Sequence, residues 1–171
     1  ASLALKADDS LVVAYEKSTT GDLKFASPNE LGGQWINTIV DKKPQGVGYI
    51  DLGIDSTGTP HISYYDANAA DLKYAKRVGL SWQIERLHSK GATGLYSSIL
   101  FDQDDRPRIY FYDRKTEAIR RYRWTGSIWS NALIAQDRGK YLEVAVDPDG
   151  HEIVGAVRKS DKLLILQTVV V

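Results

Sequence analysis

Trp35, Trp82 and Trp129 each close a Gly-x-x-Trp segment: Gly32-Gly-Gln-Trp35, Gly79-Leu-Ser-Trp82 and Gly126-Ser-Ile-Trp129, spaced 47 residues apart. An indole ring can stack on the apolar face of a sugar, so the three are a candidate glycan platform. Recurrence at one place in every unit favours a packing role, because aromatic side chains dominate core energetics. A second set pairs a tyrosine with a short polar residue two positions on: Tyr49 with Asp51, Tyr96 with Ser98, Tyr141 with Glu143. In an extended chain that spacing puts both side chains on one face. The set is either a ligand-binding surface or a group of polar residues that satisfy one another. Arg121 completes the candidates, since it stands where the first two repeats carry an aromatic and could hold an anionic ligand or pair with a neighbouring element.

Other chemistries find less support. Asp147-x-Asp149-Gly150 offers oxygen ligands on a turn, as a hard cation requires, but no further acidic ligand follows and the segment reads as a plain hairpin turn. His61, His88 and His151 show no zinc-site spacing, although His61 and His151 fall at roughly equivalent repeat positions, so no metal or cofactor is expected. Arg114, Lys115, Arg120, Arg121 and Arg123 alternate with Asp113 and Glu117, the pattern of a solvated face. No carboxylate pair or activated nucleophile breaks the repeat, so no catalytic residue is assigned.

The elements that position these residues repeat at the same period. Leu23-Lys-Phe-Ala26 matches Leu72-Lys-Tyr-Ala75, Ile119-Arg-Arg-Tyr122 and Leu163-Leu-Ile-Leu166. Upstream, Leu11-Val-Val-Ala-Tyr15 matches Pro60-His-Ile-Ser-Tyr64, Pro107-Arg-Ile-Tyr-Phe111 and His151-Glu-Ile-Val-Gly155, all alternating and rich in β-branched or aromatic residues. First strands begin near Ser2, Asp51, Ser98 and Glu143, and turn-forming segments at Asp8, Asp55, Asp102 and Asp147 separate them from the second strands. Fourth strands open at the tryptophans and end at Val40, Leu87 and Ile134. Helical periodicity is absent. The pattern predicts an all-β chain: a β-propeller of about four tandem, four-stranded blades, the last incomplete, with repeats near 1–48, 49–95, 96–140 and 141–171. First strands line a propeller's channel, which would gather Tyr49, Asp51, Tyr96, Ser98, Tyr141 and Glu143 there.

His61-Ile-Ser-Tyr-Tyr-Asp66, Asp71-Leu-Lys-Tyr-Ala75, Gly79-x-x-Trp82 and Tyr96-Ser-Ser98 resemble a propeller repeat of bacterial and archaeal exported or surface proteins, over essentially the whole chain. The third repeat departs at Arg121 and the fourth at Gly155, Ala156 and Val157. This resemblance implies the fold and a secreted or cell-surface location; it implies little about activity, since one fold hosts many functions. Arg108-Ile-Tyr-Phe-Tyr112 and Gly126-Ser-Ile-Trp129 are fainter echoes of fucose-binding propeller lectins. Sialidase propellers carry longer Asp-boxes, of which only Gly-x-x-Trp is present, and their arginine triad is not identifiable.

Composition narrows the partners. Lys plus Arg equals Asp plus Glu at 22 each, so no net field recruits nucleic acid. No apolar run reaches the length of a membrane span, and the absence of cysteine removes disulfide and thiol chemistry. Four full periods exceed the 171 residues, and the shortfall falls after Leu166. A four-bladed ring with a three-stranded last blade, a ring built from two copies, and a piece of a longer chain are all compatible, since open blade faces must be covered. The functional expectation is a non-catalytic propeller that binds a surface glycan or a protein partner, with a propeller glycan hydrolase or lyase, or a structural module, as alternatives.

Overall fold

The computed structural model describes every residue except 30, 32, 43, 44, 90–92, 137, 138, 159–161 and 169–171, so Gly32 of the first Gly-x-x-Trp segment and the final valines lie outside the described residues. The described residues form fifteen strands and no helix. Blade 1 comprises β1 (Ser2–Leu5), β2 (Leu11–Lys17), β3 (Asp22–Pro28) and β4 (Trp35–Asp41). Blade 2 comprises β5 (Val47–Ile54), β6 (Pro60–Asp66), β7 (Asp71–Val78) and β8 (Ser81–His88). Blade 3 comprises β9 (Thr93–Phe101), β10 (Pro107–Asp113), β11 (Ala118–Trp124) and β12 (Trp129–Ala135). Blade 4 is a three-stranded sheet of β13 (Lys140–Val146), β14 (Glu152–Val157) and β15 (Leu163–Thr168). Within each sheet the strands pair antiparallel in chain order, the expected propeller blade with an incomplete fourth unit.

Each turn between first and second strands is built by one side chain. Asp55 Oδ1 accepts from the amides of Thr57 and Thr59 at 3.0 and 2.9 Å, and Asp102 and Asp147 repeat both bonds. These Asx-type bonds fix the strand register, with Ile54 opposite Pro60, Phe101 opposite Pro107 and Val146 opposite Glu152. Glu152, not His151, therefore occupies the Pro60 position. The sequence alignment of the fourth repeat is off by one, and His61 and His151 are not equivalent. Burial agrees, since Val154 and Ala156 are buried like Ile62 and Tyr64.

The blades face one another through three cores. Alternation gives each blade a forward face and a back face. Val12, Ala14, Leu23 and Phe25 of blade 1 meet Leu52, Ile62, Tyr64 and Trp82 of blade 2. Leu72 and Tyr74 of blade 2 meet Ile109, Phe111 and Trp129 of blade 3. Tyr110 and Ile119 of blade 3 meet Leu142, Val154 and Ala156 of blade 4. Close approach at one crossing requires glycine: a Cβ on Gly94, which has φ +96°, would lie 2.8 Å from Leu72 Cα.

The tryptophans confirm and qualify the packing expectation. Trp82 meets Phe25 edge-on at 5.3 Å and Trp129 meets Tyr74 edge-on at 5.0 Å, each bridging to the preceding blade. Trp35 has no preceding blade among the described residues and is exposed.

Candidate functional site

Position by position, the forward face changes character along the chain. The site where blade 1 has Val12 holds His61 in blade 2 and Arg108 in blade 3. His61 is buried between Asp55 and Tyr74: Nε2 donates to Asp55 Oδ2 at 3.1 Å, and Nδ1 accepts from the Tyr74 hydroxyl at 2.6 Å. A carboxylate can only accept, which assigns that tautomer. Burial holds the imidazole below its ordinary value, against the opposing pull of Asp55, so it is neutral. Phe101 of blade 3 packs edge-on against the ring at 4.8 Å.

At the next interface the same positions carry charge. Arg108 and Tyr110 share the forward face of β10, and Arg121 lies opposite Tyr110 across the β10–β11 pair. All three converge on the buried Glu152 of blade 4: Arg108 Nη1 and the Tyr110 hydroxyl donate to its two oxygens, and Arg121 Nη1 donates at 2.9 Å. Arg108 Nη2 also reaches Asp102 at 3.3 Å, and Arg121 lies over the Tyr110 ring at 5.8 Å. Burial alone would raise the Glu152 carboxyl, but the Tyr110 and Arg108 hydrogen bonds and the arginine charges hold it below its usual value. Ionised, Glu152 is an acceptor and not a general acid. Arg108 is buried, and its Nε has no hydrogen-bond partner among the described residues.

Above this cluster a cleft of about 530 Å³ opens between blades 3 and 4, with Phe101, Arg106, Arg123, Trp124 and Val146 on its walls and Arg108 and Glu152 at its base. A second cleft of about 570 Å³ lies between blades 2 and 3, lined by Asp55, Tyr74, Lys76, Glu85 and Trp129. Asp104, Arg106 and Trp124 line both. Trp124 therefore forms a shared aromatic wall, braced edge-on by Trp129 at 5.5 Å. Sequence reasoning passed over it, although it is the tryptophan that falls off the 47-residue period. Arg108 and Glu152 were missed for a different reason: they meet only after the one-residue shift of the fourth repeat.

The first-strand set does assemble. Tyr49 and Tyr96 lie 4.6 Å apart, Tyr96 and Tyr141 5.3 Å, and Tyr49 also meets Tyr65 at 6.1 Å, forming an aromatic row across blades 2 to 4. All three first-strand tyrosines have positive φ, 49°, 53° and 52°, at breaks in strand register. Left-handed backbone at an aromatic residue is strained, so the repeated bulge is imposed by its surroundings. Of the polar members, Asp51 is engaged structurally. Asp51 accepts from Ser2 Oγ at 3.0 Å, its neighbour's Leu52 amide at 3.0 Å and the Ile99 amide at 2.8 Å, tying blades 1, 2 and 3 together. Ser97, beside the buried Ser98, donates to the Tyr49 carbonyl at 2.7 Å. Partial burial and the Asp51 charge push the Glu143 carboxyl up, and burial followed by Tyr49 pushes Tyr96 up. Arg121 stands apart from this row, paired with its blade neighbour. The Asp147, Asp149 and His151 ligand atoms lie within 4.8 Å of one another, but Asp147 is already engaged by the Asp149 and His151 amides and by His151 Nδ1 at 3.0 Å.

No protein-family model matches the chain, and no curated protein sequence matches it. Solved structures do. The SapL1 lectin bound to α-methyl fucoside superposes with TM-score 0.71 at 14% identity over 98% of this chain and 58% of its own. Aleuria aurantia lectin in complex with α-methyl-L-fucoside gives TM-score 0.67 at 15% identity over 94% of this chain and 53% of its own. A leech intramolecular trans-sialidase gives TM-score 0.62 at 14% identity over 94% of this chain and 29% of its own. The chain spans about half the length of the two lectins. At these identities the likeness shows the fold: the chain is a β-propeller.

Proposed function

We propose that the protein is a non-catalytic, glycan-binding propeller whose ligand sits in the cleft between blades 3 and 4. The observation that carries this reading is a charge-balanced polar base beneath an aromatic wall. Asp102, Asp104 and Glu152 offset Arg106, Arg108 and Arg123 around the cleft. Such a lining suits a neutral ligand with many hydroxyls, which takes donors and acceptors in alternation while its apolar face covers an indole. Two structures of this fold hold a fucoside, which favours a carbohydrate over a protein ligand. An acidic sugar is less suited, because Arg108 and Arg121 already pair with Glu152 and Arg106 with Asp104. The aromatic row Tyr49, Tyr96 and Tyr141 is a second exposed surface available to the same class of ligand. A secreted or surface location accords with that role.

A glycan array followed by calorimetric titration tests the reading. Neutral glycans should bind, and Trp124→Ala should weaken binding about tenfold or more, or ~1.4 kcal/mol, with an unchanged circular dichroism spectrum. Binding of none of the glycans, or undiminished binding by the variant, would overturn it.

A further inference from the structure

The internal interfaces share a packing rule, carried in the first two by a tryptophan. A third-strand residue on the forward face receives the fourth-strand tryptophan of the next blade: Phe25 receives Trp82 at 5.3 Å and Tyr74 receives Trp129 at 5.0 Å. Beside that contact, size is matched across second strands. Small Ala14 shares a core with large Tyr64, Ser63 sits at the interface filled by Phe111, and where the forward residue is large, Tyr110, its counterpart is small, Ala156. Close packing of this kind leaves no room for two large residues and no stability in two small ones.

The two end faces carry the unmatched halves of the same pattern. On the forward face of blade 4, Ile165 stands at the Phe25 and Tyr74 position and is 63% exposed. Leu163 is 68% exposed, whereas Leu23 and Leu72 at its position are fully buried. Gly155 holds the small-residue position, and a Cβ there would meet nothing within 4 Å, leaving a hollow. On the back face of blade 1, Trp35 is 50% exposed at the Trp82 and Trp129 position, and Leu3 and Leu5 are 64% and 63% exposed. Tyr15 holds the large-residue position there.

We propose that a second copy of this chain docks head to tail on blade 4, with its Trp35 seated on Ile165 and Leu163 and its Tyr15 over the hollow at Gly155. The contact continues the tryptophan interface already formed twice within the chain, so it asks for no new geometry. A zero formal net charge opposes association with no long-range repulsion. The two surfaces differ, so the contact is heterologous and yields a ring if the rotation closes and a longer array if it does not.

Sedimentation or light scattering over a wide concentration range tests the proposal, and complementation makes the test specific. The unmodified chain should show a mass of at least two copies. Trp35→Glu removes one face and Ile165→Glu the other, so each variant alone should run as a single chain. Both side chains are exposed in the single chain, so both variants should keep the β-sheet circular dichroism and cooperative melting of the parent. Mixed one to one, they should re-form a dimer, because one intact forward face meets one intact back face. A parent that stays a single chain at every concentration, variants that still associate alone, or a mixture that does not combine would each overturn the proposal. The first of these outcomes would leave a different occupant for the two faces.

Discussion

Blades 1 and 2 and blades 3 and 4 meet through the same strand positions, yet the two interfaces are held together by different physics. At the first, Val12, Ala14 and Phe25 present an apolar surface, and polar contacts stay at its rim, where the Tyr64 hydroxyl and Lys73 reach Asp41 at 2.8 and 3.4 Å. At the second, Arg108, Tyr110 and Arg121 take those positions and close on Glu152. The middle interface is intermediate, with an uncharged His61 held between the Asp55 carboxylate and the Tyr74 hydroxyl. The backbone of a propeller is thus indifferent to the chemistry at its blade contacts so long as each buried polar group finds a partner. Where the contact becomes polar, a cleft with hydrogen-bonding capacity opens beside it. The apolar contact is closed; beside the ionic one lies the cleft that we propose as the glycan site.

The sharpest way to break this contrast is Glu152→Ala. It removes the counter-charge of Arg121 and leaves Arg108 with Asp102 alone, and thermal or denaturant unfolding should show a loss of about 3 to 5 kcal/mol, the usual cost of breaking one side of a buried ion pair. At the apolar interface, Trp82→Ala should cost about 3 kcal/mol through the cavity against Phe25, whereas Trp35→Ala in the dissociated chain should fall within about 0.5 kcal/mol of the parent. Equal effects for the two tryptophans would show that the blade contact is not what Trp82 supplies.

Making the blade 3–4 interface apolar should do less to stability and more to function. Arg108→Val and Arg121→Phe copy Val12 and Phe25, Glu152→Leu removes their partner on blade 4, and replacing a buried ion cluster with apolar residues should leave stability within about 1 to 2 kcal/mol of the parent. The same triple variant should lose glycan binding on the array, because the base of the cleft is gone. A triple variant that binds normally would place the ligand elsewhere, at the tyrosine row first.

The smallest effect is a pH dependence that separates the two polar interfaces. His61 is held below its ordinary value of 6.5, so its folded state prefers the neutral ring, and the stability this confers is present above that value and lost as pH falls beneath it. Glu152 is held below its ordinary value of 4.5, so its contribution persists to lower pH and disappears only as the carboxylate finally protonates. Melting temperature followed from neutral to acidic pH should fall in two stages. His61→Gln should flatten the first and leave the second.

Some of this could be read without any coordinates. The 47-residue spacing of Trp35, Trp82 and Trp129, with alternating strands and aspartate-led turns, was enough for four antiparallel blades and a short last one, because alternation and turn chemistry are local properties. Arg121 was visible as a charge in the column that holds Phe25 and Tyr74 in the first two repeats. Which side chain it would meet was not, since Glu152 lies 31 residues away on another sheet. Its placement depends on the Asp147 turn holding one residue more than the aligned motif suggested. Trp124 broke the period and so carried a signal, but only the packing of blade 3 between two neighbours made it the wall of two clefts. The tyrosines at 49, 96 and 141 were legible as a set, whereas their left-handed backbone and the engagement of Asp51 by three blades were not. The sequence by itself determined the elements and their order, through the periodicity of its side chains. The tertiary structure alone decided which faces meet, which charges are neutralised and which apolar surfaces remain open, because these depend on register between sheets and not on any stretch of chain read alone.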